Sequence, residues 1–141
     1  MRETDRLLID LLRANAREPA ASLARKLGLA RSTVQERITR LEKEGTIKGY
    51  TLRLSDEATA NRIRAIVMIA TDSKRADRTT VELKKIPEVR TLSAVSGTYD
   101  LVATVEADTP ARMDTVLDRI GNSHGVARTV TSIVLSEKFA R

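Results

Sequence analysis

The chain has 141 residues, 41% of them apolar and 31% charged, which permits one domain or two small ones with real cores. Its net charge is +6, and the excess is divided evenly between residues 1–61 and 62–141. It is therefore no basic tail, and any nucleic-acid surface must come from local placement. The lack of cysteine excludes disulfides and thiolate metal sites, and three aromatics (Tyr50, Tyr99, Phe139) are too few for single-strand stacking platforms. No apolar run is long enough to span a bilayer, and the opening Met1-Arg2-Glu3-Thr4-Asp5 lacks a signal-peptide core. With the missing cysteines, this fits a cytoplasmic protein.

Thr4 is a candidate cap for a first helix, with Leu7, Leu8, Leu11 and Leu12 as its apolar stripe. Pro19 suits the start of a second. In residues 20–41 two short helices meet at a tight turn. Leu23, Ala24 and Leu27 share a face, Gly28 can adopt the positive φ that ends the helix, and Ser32 or Ala30 starts the next. Val34, Ile38 and Leu41 then recur at helical spacing, and Ala24 is small where two helices must cross. This is the pattern of a helix-turn-helix, whose second helix enters the DNA major groove. That helix ends near Glu44-Gly45. Residues 46–54 look extended, as a strand or short hairpin forming a wing, from which Lys48 and Arg53 can reach phosphates.

Residues 51–61 are taken as the linker between a DNA-binding domain, residues 1–50, and a second domain, residues 62–141. Strands are expected at 63–71, 89–95, 99–107 and 127–135, with helices at 76–86, stopped by Pro87, and after Thr109-Pro110. The order βαββαβ is the ferredoxin-like split motif, so the fold class is α+β. In the first strand Ile63, Ala65, Val67 and Ile69 form one face and Ile66, Met68 and Ala70 the other. Two helices can cover only one face, so the second is expected to pack against another copy of the chain.

Opposite the buried stripe of the recognition helix, at about 100° per residue, lie Ser32, Gln35, Glu36, Thr39, Arg40 and Lys43. Gln35 suits adenine, Glu36 suits cytosine N4, and Ser32 or Thr39 suits either. Arg31, Arg37, Arg40 and Lys43 suit phosphates or guanine, and Thr33 belongs to the same end of the helix.

Residues 96–100, Ser-Gly-Thr-Tyr-Asp, fit a two-residue type II′ hairpin turn at Gly97-Thr98. They also fit a small-molecule cradle, in which turn N–H groups take a carboxylate and Asp100 takes an ammonium, the two ends of a free amino acid. His124 lacks metal-ligand companions and a nucleophile, so it is taken as a loop residue. Asp114 and Asp118 are taken as a solvated helix face rather than an acid–base pair. No catalytic, metal or cofactor site is expected.

Taken together, these segments resemble the Lrp/AsnC (feast/famine) family of transcriptional regulators. The resemblance is carried by residues 4–12 (TDRLLIDLL), 23–34 (LARKLGLARSTV), 37–50 (RITRLEKEGTIKGY) and 95–100 (VSGTYD). It implies a winged helix-turn-helix domain joined by a linker strand to a ferredoxin-like ligand-sensing domain of RAM/ACT-like type. It further implies dimers through the sheets, often assembled to octamers, and amino-acid sensing through the loop matching Gly97, Thr98, Tyr99 and Asp100. The last strand adds Thr129, Thr131 and Ser132. A dimer would read a near-palindromic operator in double-stranded DNA. Two other readings remain: a haem-biosynthesis decarboxylase-like enzyme, which the resemblance to the same two-domain arrangement raises, and an architectural DNA-binding protein without a ligand.

Overall fold

The computed structural model describes residues 1–72, 74 and 76–140, which form two compact units, Met1–Arg53 and Leu54–Arg141. The first holds three helices, α1 Glu3–Ala14, α2 Ala20–Leu27 and α3 Arg31–Lys43. Its core is Leu8, Leu12, Leu23, Ala24, Val34 and Leu41, with Ile38 and Ile47 packed at its edge. Ala24, 5% exposed, fills the crossing where a longer side chain would force the helices apart.

The tight turn between α2 and α3 follows from Gly28. At φ +64° it lets Leu29 N–H reach Ala24 C=O at 2.9 Å and Gly28 N–H reach Arg25 C=O at 3.4 Å, closing α2 with a Schellman motif. Ala30, extended at φ −71° and ψ 148°, caps α3 without a side-chain bond, so of the two expected starts it is Ala30 that serves.

Three local expectations are corrected here. Thr4 is not the cap of α1: the helix begins at Glu3 after an extended Arg2, with Glu3 and Asp5 placed where the helix N-terminus favours negative charge. Leu7 is half exposed, because about 100° of helix separates it from the buried Leu8. Residues 46–55 form no strand or hairpin; among the described residues no neighbouring strand pairs with them. The wing is an irregular extended segment, anchored by Ile47 N–H on Leu41 C=O at 3.0 Å and by the Tyr50 hydroxyl donating to Glu42 at 2.7 Å.

The second unit opens on one turn of helix, α4 Asp56–Thr59, within the stretch expected as linker, capped by Ser55 Oγ accepting from Ala58 N–H. The second unit then runs β1 Ile63–Thr71, α5 Ala76–Lys84, β2 Val89–Ala94, β3 Leu101–Ala107, α6 Pro110–Gly121 and β4 Val126–Ile133. The sheet is antiparallel in the order β2-β3-β1-β4, the ferredoxin-like arrangement. Thr109 caps α6 by accepting from Arg112 N–H at 3.1 Å, with Pro110 just inside the helix.

Both helices lie on one face of this sheet. Ala65, Val67 and Ile69 of β1 and Leu101, Ala103, Val105 and Ala107 of β3 pack there against Leu83, Ile86, Met113, Val116 and Ile120. The opposite face carries Ile66, Met68, Val102 and Val130, of which Ile66 is 41% and Val130 50% exposed. Thr79, fully buried, donates to the carbonyl of His124 at 2.9 Å and so ties α5 to the loop before β4. Asp114 and Asp118 are exposed. Among the described residues no helix is long and apolar enough to cross a membrane.

Candidate DNA-binding and effector sites

The packing of α3 fixes what it can present. Val34 and Leu41 are buried against α1 and α2, which turns Arg31, Ser32, Gln35, Glu36, Thr39 and Lys43 to solvent, with Thr33 half-buried at the margin. Lys48 is exposed beyond the helix. Thr39 donates its hydroxyl to Gln35 C=O at 3.0 Å, so its oxygen remains an acceptor only. The face thus combines an amide, a carboxylate, hydroxyls and cations, the groups that discriminate base edges in the major groove.

Arg37 and Arg40 have partners within the protein. Arg37 Nη1 donates to Asp5 Oδ1 at 2.7 Å and Arg40 Nη2 to Asp5 Oδ2 at 2.8 Å. Asp5 is 3% exposed. Burial alone pushes its carboxyl upward, but the two guanidiniums outweigh that and hold it below the usual carboxylate range. The sequence offered both Arg37 and Arg40 to phosphates or guanine and gave no role to Asp5. The missed signal was its position: Asp5, Leu8 and Leu12 lie on one helical stripe, and a carboxylate on an apolar stripe requires a cation.

The connection between β2 and β3 is longer than the expected type II′ turn. Ala94 pairs with Leu101, so six residues intervene, and Gly97 adopts φ +144°, outside type II′ geometry. The loop is closed by Val95 N–H on Asp100 C=O at 3.0 Å and moored to β1 by Asp100 N–H on Ile69 C=O at 2.9 Å. Asp100 Oδ2 also accepts from Thr71 N–H at 2.8 Å. Among the described residues no hydrogen bond engages the N–H groups of Ser96, Gly97, Thr98 or Tyr99.

Arg128, absent from the sequence-based set, lies with its guanidinium 5.0 Å from the centre of the Tyr99 ring. It faces Ala70 across the β1–β4 ladder, level with the loop. Thr129, opposite Ile69, is next to it, whereas Thr131 and Ser132 lie opposite Val67 and Ile66, farther down the strand. The alternation of β4 also separates these residues: Thr129 and Thr131 share the face of Ile69 and Val67, and Ser132 is on the face of Ile66. The structure therefore brings Tyr99, Asp100 and Arg128 together at one end of the sheet; Thr129 is level with them but on the opposite, helix-covered face, and Ser132 shares the face of Arg128 but lies four residues farther along β4. Among the described residues no His, Cys, Asp and Glu group is arranged to hold a metal ion.

A three-helix domain with an exposed polar helix face, followed by a domain of βαββαβ topology, is the arrangement of a transcriptional regulator with DNA-binding and ligand-binding domains, and the family matches bear this out. Residues 1–48 match the family model for a winged helix-turn-helix DNA-binding domain, and residues 64–141 match that for the Lrp/AsnC ligand binding domain. The chain belongs to the Lrp/AsnC family. It is 31% identical to the HTH-type transcriptional regulator FL11 of Pyrococcus furiosus, over 94% of this chain and 88% of that protein. It is 33% identical to the HTH-type transcriptional regulator LrpA of Mycobacterium tuberculosis, over 98% and 92%. Among solved structures, the feast or famine regulatory protein of M. tuberculosis complexed with L-methionine aligns at TM-score 0.84 and 32% identity, covering 98% of this chain and 94% of that one.

Proposed function

We propose that this chain is a sequence-specific DNA-binding regulator, not an enzyme, that answers an amino acid or related metabolite and acts in the cytoplasm as a homodimer able to assemble further, toward an octamer. The observation that carries the reading is the solvent-facing set on α3, Arg31, Ser32, Gln35, Glu36, Thr39 and Lys43, with Thr33 half-buried at its margin and Lys48 beyond it, above a packed helix-turn-helix core. Gln35 and Glu36 address base edges; Arg31, Lys43 and Lys48 address phosphates. Two such helices in a symmetric dimer select a near-palindromic operator with half-sites about one helical turn or a multiple apart.

The effector site is proposed at the loop of Gly97, Thr98, Tyr99 and Asp100 with Thr129, to which Arg128 is added; Thr131 and Ser132 stand at its far side. The N–H groups of Ser96, Gly97, Thr98 and Tyr99, uncommitted among the described residues, are available to donate to a carboxylate. Asp100 Oδ2 is held by Thr71, which leaves Oδ1 to accept from an ammonium. That a relative at 32% identity was solved with L-methionine supports this ligand class. The exposed Ile66 and Val130 support pairing through the open face of the sheet.

The test is a footprint of the full chain on the DNA upstream of its own gene, repeated with each amino acid. A protected near-palindromic site whose extent or affinity changes with one of them is expected. Protection indifferent to every amino acid favours the architectural reading, and no protection beyond that on random duplex refutes the regulator.

A further inference from the structure

We infer that Asp5 is a positioning residue for DNA binding: its carboxylate holds Arg40 away from the DNA backbone and thereby sets the sequence-independent part of the affinity. The inference rests on α3 being the DNA-reading helix. On α3, Arg40 is about 40° round from Glu36 and about 60° from Lys43, at roughly 100° per residue. It thus stands on the shoulder between the buried stripe and the groove face, where a guanidinium in a docked helix normally meets a phosphate.

Two features separate Arg40 from the other cations of α3. Its Nη2 is engaged by Asp5 Oδ2 at 2.8 Å, and that carboxylate is 3% exposed, so water competes poorly for it. Yet the Arg40 side chain is itself 39% exposed and borders an open cleft of about 530 Å³ lined also by Arg2, Glu44 and Thr46. Space for a swing toward solvent is present; the carboxylate is what opposes it. Arg37, 19% exposed and paired with the other oxygen of Asp5, is seated deeper and serves as the anchor. The backbone contacts then fall to Arg31, Lys43 and Lys48, which are exposed.

Each phosphate neutralised steepens the log affinity against log salt by about 0.9. The experiment measures this slope for the full-length wild type, Asp5→Asn, Arg40→Gln and the double variant. Two duplexes are used, one of random sequence and one recovered by selection with the wild-type chain. Arg40→Gln, which keeps a donor for Asp5, is expected to leave the slope unchanged. Asp5→Asn is expected to tighten binding to both duplexes by a similar factor and to steepen the slope by about 0.9 per protomer. The double variant is expected to return to the wild-type slope.

A folded Asp5→Asn protein that fails to steepen, a double variant as steep as Asp5→Asn, or an Arg40→Gln slope flattened by about 0.9 per protomer overturns the proposal. Where Asp5→Asn does not fold, the Arg40→Gln slope decides alone. Lys43→Ala tests the underlying reading separately: no change in its affinity or slope removes α3 from the interface, whatever Asp5 does.

Discussion

Ile66→Asp tests whether the open face of the sheet is where two copies meet. Ile66 sits in the middle of the central strand β1, facing Thr104 on one side and Ser132 on the other. Its neighbours Ala65 and Val67, 1% and 0% exposed, point into the helix-covered core, so a change at Ile66 leaves that core intact. Full burial of an isoleucine is worth about 1.5–3 kcal/mol. With 41% of the residue still exposed in the single chain, covering the remainder is worth about 0.6–1.2 kcal/mol per protomer. Symmetry doubles this to about 1–2.5 kcal/mol. Aspartate removes it and adds the cost of taking a carboxylate out of water against an apolar partner face, several kcal/mol per ion. The sum exceeds about 4 kcal/mol, or about a thousandfold in the dimer dissociation constant.

Sedimentation velocity and light scattering at micromolar concentration are the assays, with circular dichroism as the control for folding. The wild type is expected to run as a dimer or larger and Ile66→Asp as a folded monomer. An Ile66→Asp protein that assembles as tightly as wild type shows that the apolar face is not the interface. A wild type that is a monodisperse monomer at micromolar concentration refutes pairing altogether.

Three further outcomes follow from the sites. Gln35→Ala should change which base is preferred at one operator position, by about 1–3 kcal/mol, in a selection from random sequence; a uniform loss across all sequences removes Gln35 from base reading. Asp100→Asn keeps an oxygen for Thr71 N–H but removes the charge, so the melting temperature without effector should hold while the rise with a saturating amino acid is lost. At a hundredfold excess over the dissociation constant that rise reflects about 2.7 kcal/mol; its persistence in the variant places the ammonium elsewhere. The Asp5 carboxyl lies below its ordinary range, so its contribution to stability is complete above about pH 3.9 and is lost as pH falls through the depressed native value. The gap in urea stability between wild type and Asp5→Asn should therefore be constant near neutrality and close in strong acid; a gap unchanged at the acid end refutes the charge-based account.

What the sequence by itself determined are the features with a local cause. The α2–α3 turn is dictated by Gly28, α6 by Thr109-Pro110, and the strands by the alternation that put Ala65, Val67 and Ile69 on one face. Periodicity also separated the groove face of α3 from its buried stripe, because a helix's own 3.6-residue repeat decides which side chains share a side. Only the tertiary structure decided matters that depend on segments far apart in the chain. Asp5 takes up Arg37 and Arg40 from more than thirty residues away, which no local pattern pairs. The loop at Gly97 is six residues long because the β2–β3 register, not the Gly-Thr dipeptide, sets where the strands part. Arg128 reaches Tyr99 because β4 pairs with β1 in a register that sets Arg128 opposite Ala70, level with the loop. The wing segment joins no sheet among the described residues, because sheet formation requires a second strand, which the sequence of one segment cannot supply.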